Sequence, residues 1–314
     1  MRLGTVAALV VSAALLASGC GSDGRDDATA RAQPTATAPA PPAAPLAPLA
    51  RADRFDAGAA HALLREQVQD YGWRPAGSSA LRRLAVRLRA RMPRGRFEAI
   101  PGHPRLRNVV GTVPGRRPAI VVAAHYDVEA EPEGFVGAND GAAGTAAVVT
   151  LARAFATLKR PRGARELRFV LFDGEEEPAG CVPFESCGVR GSRAYAKRHA
   201  GEVHALVLLD YIAEKEGLSF PRELGSDPGI WRQLRRAAAD VGVGALFPDA
   251  AAGIEILDDH TPFTRRGIRA IDVIDFDYPQ RDSLRDDLDA VSQRSLDAVG
   301  EAVHLLLTRL RRSG

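Results

Sequence analysis

The chain has 314 residues, 46% hydrophobic and 26% charged, which excludes a wholly disordered chain, a collagen-like repeat and a multi-span membrane protein. Its 42 basic and 39 acidic residues leave a formal charge of +3, too small a surplus to draw in a polyanion, so no nucleic-acid partner is expected. Only Lys159, Lys197 and Lys215 are lysines, and the arginines that supply the rest are scattered rather than gathered in a patch.

Residues 1–20 combine Arg2, an apolar run from Leu3 to Leu16 and small residues before Cys20. The run is too short to span a bilayer and reads as an export signal. Ala17-Ser18-Gly19-Cys20 resembles a bacterial lipobox with Ala17 where leucine usually stands. Cys20 is therefore the expected lipidation site, giving an exported chain anchored on the outer side of a bacterial cell membrane; plain cleavage without lipidation is the alternative. Residues 21–52 are rich in Ala, Pro and Thr and predict a disordered tether, because they hold too little apolar surface to offset their ordering entropy. Residues 53–314 run on without a second low-complexity break and read as one domain. In an exported chain Cys181 and Cys187 are expected to pair as a disulfide that closes a short loop.

In chain order, helical periodicity covers 57–70 and 79–92, followed by an apolar run at 119–124 and a helix over 141–158. A run at 167–172, a helix over 192–199, a run at 205–209, a helix over 228–241, a run at 270–274 and a helix over 292–310 complete the series. In the last helix Leu296, Val299, Val303, Leu306 and Leu310 share one face. The alternation predicts a single α/β domain with a mixed, mostly parallel sheet and helices on both faces.

Each apolar run stops at acids. The first ends in His125-Tyr126-Asp127, the second in Asp173-Gly174-Glu175-Glu176-Glu177, the third at Asp210 and the fourth at Asp275-Phe276-Asp277. In open α/β sheets ligands bind beyond the carboxyl ends of the strands, so His125 and these acids are expected on one rim. Singly, each reads as a solvated turn or a helix cap. Together they repel unless a cation neutralises them, and a metal is the simplest remedy.

The strings Ala124-His125-Tyr126-Asp127, Phe135-Val-Gly-Ala-Asn-Asp140-Gly, Phe172-Asp-Gly-Glu175-Glu176, Gly191-Ser192-Arg193, Leu208-Leu-Asp210 and Asp258-Asp259-His260-Thr-Pro-Phe263 carry a family resemblance. They resemble the zinc aminopeptidases of metallopeptidase family twenty-eight, and within it the glutaminyl-cyclase (glutaminyl-peptide cyclotransferase) branch; Gly72-Trp-Arg-Pro-Ala-Gly-Ser78 resembles an altered copy of a further family string. The resemblance implies a zinc-exopeptidase-like three-layer sandwich that holds one or two zinc ions and acts on the N-termini of peptides or proteins. It makes His125, Asp140, Glu176 and Asp210 metal-site residues, with Asp140 bridging two ions in the aminopeptidases. Glu175 becomes the general base and Asp127 the partner that orients the His125 ring. Asp259 and His260 fall at positions that support the ligands or contact substrate.

One ligand departs from the family. Its last zinc ligand is a histidine in a His-Thr-x-x-Asp string, and that place falls on Asp282-Ser283-Leu284-Arg285-Asp286, so Asp282 stands for the histidine as an oxygen ligand. Trp73 and Trp231 also lie outside the places where glutaminyl cyclases carry pocket tryptophans. The expected function is hydrolytic removal of an N-terminal residue. The alternative is cyclisation of N-terminal glutamine to pyroglutamate, and a third reading is a metal- or peptide-binding homologue with weakened catalysis.

Overall fold

The computed structural model describes residues 44–312; residues 1–43, which include the export signal, Cys20 and most of the expected tether, lie outside them, as do 313–314. One sheet of six strands has the order β1-β2-β4-β3-β5-β6. Its strands are β1 Arg96–Ile100, β2 His103–Val113, β3 Arg116–His125, β4 Arg165–Phe172, β5 Val203–Asp210 and β6 Arg269–Ile274. β4, β3, β5 and β6 run parallel, whereas β1 and β2 form an antiparallel hairpin against β4.

The four expected runs are the four parallel strands. Residues 119–124 of β3 are all fully buried, as a central parallel strand covered on both faces requires. Ile120, Val122 and Ala124 join the core on one face, while Val121 and Ala123 alternate into the core on the other. The hairpin β1–β2 escapes a reading by apolar runs because Arg96, Glu98, His103, Arg105 and Arg107 interrupt it.

Among the described residues, eight α-helices complete the layers. On one face pack α1 Ala57–Glu66, α2 Ser79–Arg91, α3 Gly144–Thr157, α6 Pro228–Asp240 and α8 Gln293–Leu310. The other face is covered by α5 Arg190–His199 and the short α7 Thr261–Thr264, and α4 Phe184–Cys187 is a single turn in the loop after β4. Asp56, Ser78, Asp227 and Ser292 each cap a helix by accepting from a backbone N–H three residues on. The helix expected over 57–70 is present, but from Gln67 to Tyr71 it widens to a π turn.

Residues 44–52 lie against the domain rather than continuing the tether. Ala47 is buried, Leu46 forms a β-bridge with Glu216, and the Arg51 N–H donates to the Val241 carbonyl at 2.7 Å. Main-chain groups of Pro45, Ala47 and Arg51 make its hydrogen bonds to the domain, and composition does not reveal such contacts. No helix among the described residues is long and apolar enough to cross a membrane.

Helix α8 also contains a pH-sensitive contact. His304 is buried and stacks on Phe155 of α3 with ring centroids 4.6 Å apart. Burial, helped by Arg54, pushes its pKa down from 6.5 to about 4. The folded chain thus binds fewer protons than the unfolded one between these values, so this contribution is complete above pH 6.5 and is lost as pH falls toward 4. His304→Phe should remove that part of the acid slope, which thermal unfolding of both chains across this window measures.

Candidate metal centre

The parallel strands deliver their terminal residues to one rim. β3 ends at His125 and β5 at Asp210, Glu175 and Glu176 follow β4, and Asp140 sits in the turn leading to α3. His125 Nε2 lies 3.0 Å from Asp140 Oδ1 and 3.4 Å from Asp210 Oδ1. Single ligand atoms of His125, Asp140 and Glu176 all lie within 4.8 Å of one another, and all three residues are buried.

The electrostatics fit a cation. Burial pushes the carboxyls of Asp210, Glu175 and Glu176 above their usual range; Asp140 and Glu175 add to the effect on Glu176, and Asp258 and Asp259 add to that on Glu175. Burial alone would push the His125 ring down, but Asp140 and Asp210 override it and hold its pKa well above the usual value. His125 Nδ1 has no hydrogen-bond partner among the described residues. One imidazole and several carboxylates, converging and under-neutralised, form a donor set suited to zinc or a slightly harder divalent ion.

Several residues hold this geometry. Gly141, at φ +80°, lets the Asp140 turn pass close to β3: a Cβ there would come 2.6 Å from the Asp127 carbonyl and 3.1 Å from His125 Cε1. Asp286 accepts from the Asn139 and Asp140 N–H groups at 2.9 and 3.0 Å and from the Tyr278 hydroxyl at 2.8 Å. Arg74, fully buried within the altered Gly72–Ser78 string, donates to the carbonyls of Tyr126, Val136 and Gly137 and so pins the loop between His125 and Asp140.

Asp127 sits where its expected partner is just out of reach. Its Oδ1 is 3.9 Å from His125 Nδ1, beyond hydrogen-bond distance. Instead its two oxygens accept from the backbone N–H groups of Glu175 and Glu176 at 3.3 and 3.2 Å, so Asp127 positions the pair of glutamates.

Asp282 enters from the other side. It occupies a left-handed backbone position at φ +56°, its side chain is 53% exposed, and its Oδ2 lies 3.4 Å from Arg281 Nε. Its carboxylate groups with Asp140 and Glu129 rather than with His125 and Glu176, so Asp140 is common to two clusters. Glu129, absent from the sequence reading, is pushed up to about 8 by burial and by the charges of Asp140 and Asp282. Tyr211 is a second addition: its hydroxyl donates to Asp140 Oδ2 at 2.8 Å. Of the DDH string, Asp259 is fully buried and its charge acts on Glu175, whereas His260 turns away toward Glu223 and Asp272. Cys181 and Cys187 are bonded, with Cα atoms 6.2 Å apart, and their loop brings Phe184 to the wall of the pocket.

Residues 108–307 match the family described as Peptidase family M28. The chain belongs to this family. It is 30% identical over 218 residues to the glutaminyl-peptide cyclotransferase of Bos taurus, covering 57% of this chain and 59% of that one. Against aminopeptidase YwaD of Bacillus subtilis strain 168 it is 27% identical over 204 residues, covering 60% of this chain and 40% of the other. The chain thus spans less than two thirds of the length of both relatives. A crystal structure of Porphyromonas gingivalis glutaminyl cyclase superposes with a TM-score of 0.72 at 26% identity, covering 82% of this chain and all of that one. The three-layer α/β architecture is therefore that of the M28 glutaminyl cyclases and zinc exopeptidases.

Proposed function

We propose that this M28 protein is a zinc-dependent exopeptidase that removes single residues from peptide N-termini. The observation that carries the reading is the shape and charge of the pocket at the rim. It is a cavity of about 290 Å³, with apolar walls that include Phe184, Ile256, Ile274 and Phe276, and with Glu129, Glu177 and Asp282 around it besides the ligand cluster. A cavity of this size suits one residue, and the acids stabilise a protonated α-amine, which is how an exopeptidase recognises a chain end. The same acids disfavour the neutral amine that must attack in a cyclisation.

His125, Asp140 and Glu176 would hold the metal, with Asp210 beside His125. Zinc bound there supplies a Lewis acid for the scissile carbonyl. Glu175 takes a proton from the attacking water and returns it to the departing amine; its burial beside Asp258 and Asp259 raises its basicity for that exchange. Tyr211 and Asp286 hold the Asp140 carboxylate and its backbone in place.

Glutaminyl cyclisation is the second reading, supported by the names of the relatives and by Phe184, which puts an aromatic ring at the pocket from the disulfide loop. Two peptides separate the readings. Zinc-loaded protein should release free leucine from a Leu-initial peptide and free glutamine from a Gln-initial one. Ammonia and pyroglutamate without free glutamine would overturn hydrolysis in favour of cyclisation, and zinc binding with neither product marks a weakened homologue. Export and anchoring through Cys20 remain part of the proposal, supported by the sequence of residues 1–20.

A further inference from the structure

Strand β6 carries an acid where its neighbours predict a hydrophobe. Ile271 and Val273 face one core and Ala270 the other, so Asp272 lies in the apolar layer beneath α7, with 1% of its surface exposed. Around it stand Asp258, His260 and Glu223, respectively 4%, 1% and 0% exposed. His260 Nδ1 lies 3.5 Å from Asp272 Oδ2, and His260 Nε2 lies 3.6 Å from Glu223 Oε1. No lysine or arginine side chain among the described residues pairs with any of the four.

The cluster is under-satisfied as well as under-neutralised. Asp258 Oδ2, His260 Nδ1, both oxygens of Asp272 and Glu223 Oε1 are buried without a hydrogen-bond partner among the described residues. Five such atoms in one place are far from the norm for a buried site. A proton shared between Asp258 and Asp272 would cancel one charge but leave His260 Nδ1 and most of the oxygens unmatched. A cation satisfies them together.

We propose that Asp258, His260 and Asp272 hold a structural divalent metal ion, separate from the ion at the His125 rim. One ligand atom from each of the three lies within 4.8 Å of the other two. His260 presents Nδ1, buried and without a hydrogen-bond partner among the described residues, to Asp272 Oδ2 at 3.5 Å, where it can ligate. On its other side the ring faces Glu223, whose Oε1 lies 3.6 Å from Nε2 and whose Oε2 accepts from the Gly225 N–H at 2.6 Å, a carboxylate in the place that orients a metal-bound imidazole. One nitrogen and carboxylate oxygens, with no sulfur, suit zinc and to a lesser degree manganese. The ion would tie β6 to the 258–264 turn and, through Glu223, to the segment before α6. Asp258 also lines the rim pocket, so the two sites are neighbours, but the three ligands proposed here differ from the His125, Asp140 and Glu176 set.

The test uses the full chain, dialysed and reloaded with zinc alone, with metal per chain measured by mass spectrometry and folding checked by circular dichroism. Glu176→Gln, which disables the rim, should still retain one tightly held equivalent. Asp272→Asn should hold one equivalent fewer than the unaltered chain and unfold at a lower temperature once zinc is present. His260→Gln should behave alike, and it keeps the measurement decisive if Asp272→Asn does not fold. Folded Glu176→Gln with no zinc overturns the proposal, as does undiminished zinc in both cluster variants. Asp272→Asn that unfolds at the same temperature as the unaltered chain with zinc present would mark a shared proton instead, and also overturns it.

Discussion

Glu175→Gln should lower turnover by about 10²–10⁴-fold while leaving bound zinc unchanged, whereas Glu176→Gln should lose the rim zinc and turnover together. Both residues are buried, adjacent and held by Asp127 through their backbone N–H groups, so sequence position alone does not divide their roles. Their surroundings do. Glu176 lies within ligand distance of His125 and Asp140, and after burial Asp140 is the strongest influence on its carboxyl. After burial, Glu175 feels His125, which lowers its proton affinity, but also Asp258, Asp259 and Asp127, which raise it, and its carboxylate does not group with His125 and Asp140 as that of Glu176 does. Glutamine keeps the volume and removes the charge, so the loss reports proton transfer in one case and metal binding in the other. Zinc content and kcat on the same preparations decide it; equal zinc loss in the two variants would show that both glutamates bind the ion.

The rim was legible because a parallel strand has to be apolar along its buried length and can turn polar only where it leaves the sheet. That constraint made His125, Glu175, Glu176 and Asp210 stand out at the ends of β3, β4 and β5. Asp140 has no such marker; it comes after a loop, and the resemblance rather than periodicity identified it. The β1–β2 hairpin lay hidden because an edge hairpin can keep charge on its exposed positions, and the packing of residues 44–52 because main-chain groups do much of that work. Glu129, Tyr211 and Arg74 depend on loops whose paths no local pattern specifies. Tyr211 could have been suspected as the residue after a strand-end acid, but only its left-handed backbone at φ +46° turns the hydroxyl to Asp140. Asp272 was visible as an acid inside an apolar run and was read simply as part of the strand, since spacing does not reveal that Glu223, Asp258 and His260 converge on it.

Replacing Asp282 by histidine should raise zinc affinity roughly tenfold or more and shift the pH optimum of turnover toward neutrality. Asp140 is common to the His125–Glu176 group and to the Glu129–Asp282 group, so an ion held there feels the Asp282 carboxylate as a third negative charge beside Asp140 and Glu176, and its power as a Lewis acid is reduced. A neutral imidazole restores the balance and favours zinc over manganese, whereas the native carboxylate favours the harder ion. The backbone permits the exchange: Asp282 sits at φ +56°, a region that Asp and His both enter more readily than most residues. The longer ring also suits the position, because the native carboxylate reaches Asp140 and Glu129 but does not join the group of His125 and Glu176. The substitution removes one of the charges that push Glu129 up to about 8, so Glu129 should ionise at lower pH and strengthen its hold on an α-ammonium. Paired zinc titrations and pH–rate profiles of the two chains test this. Unchanged zinc affinity and an unmoved profile would place Asp282 on the pocket wall, as a partner of Arg281 and Glu129, and leave the metal to His125, Asp140 and Glu176 alone.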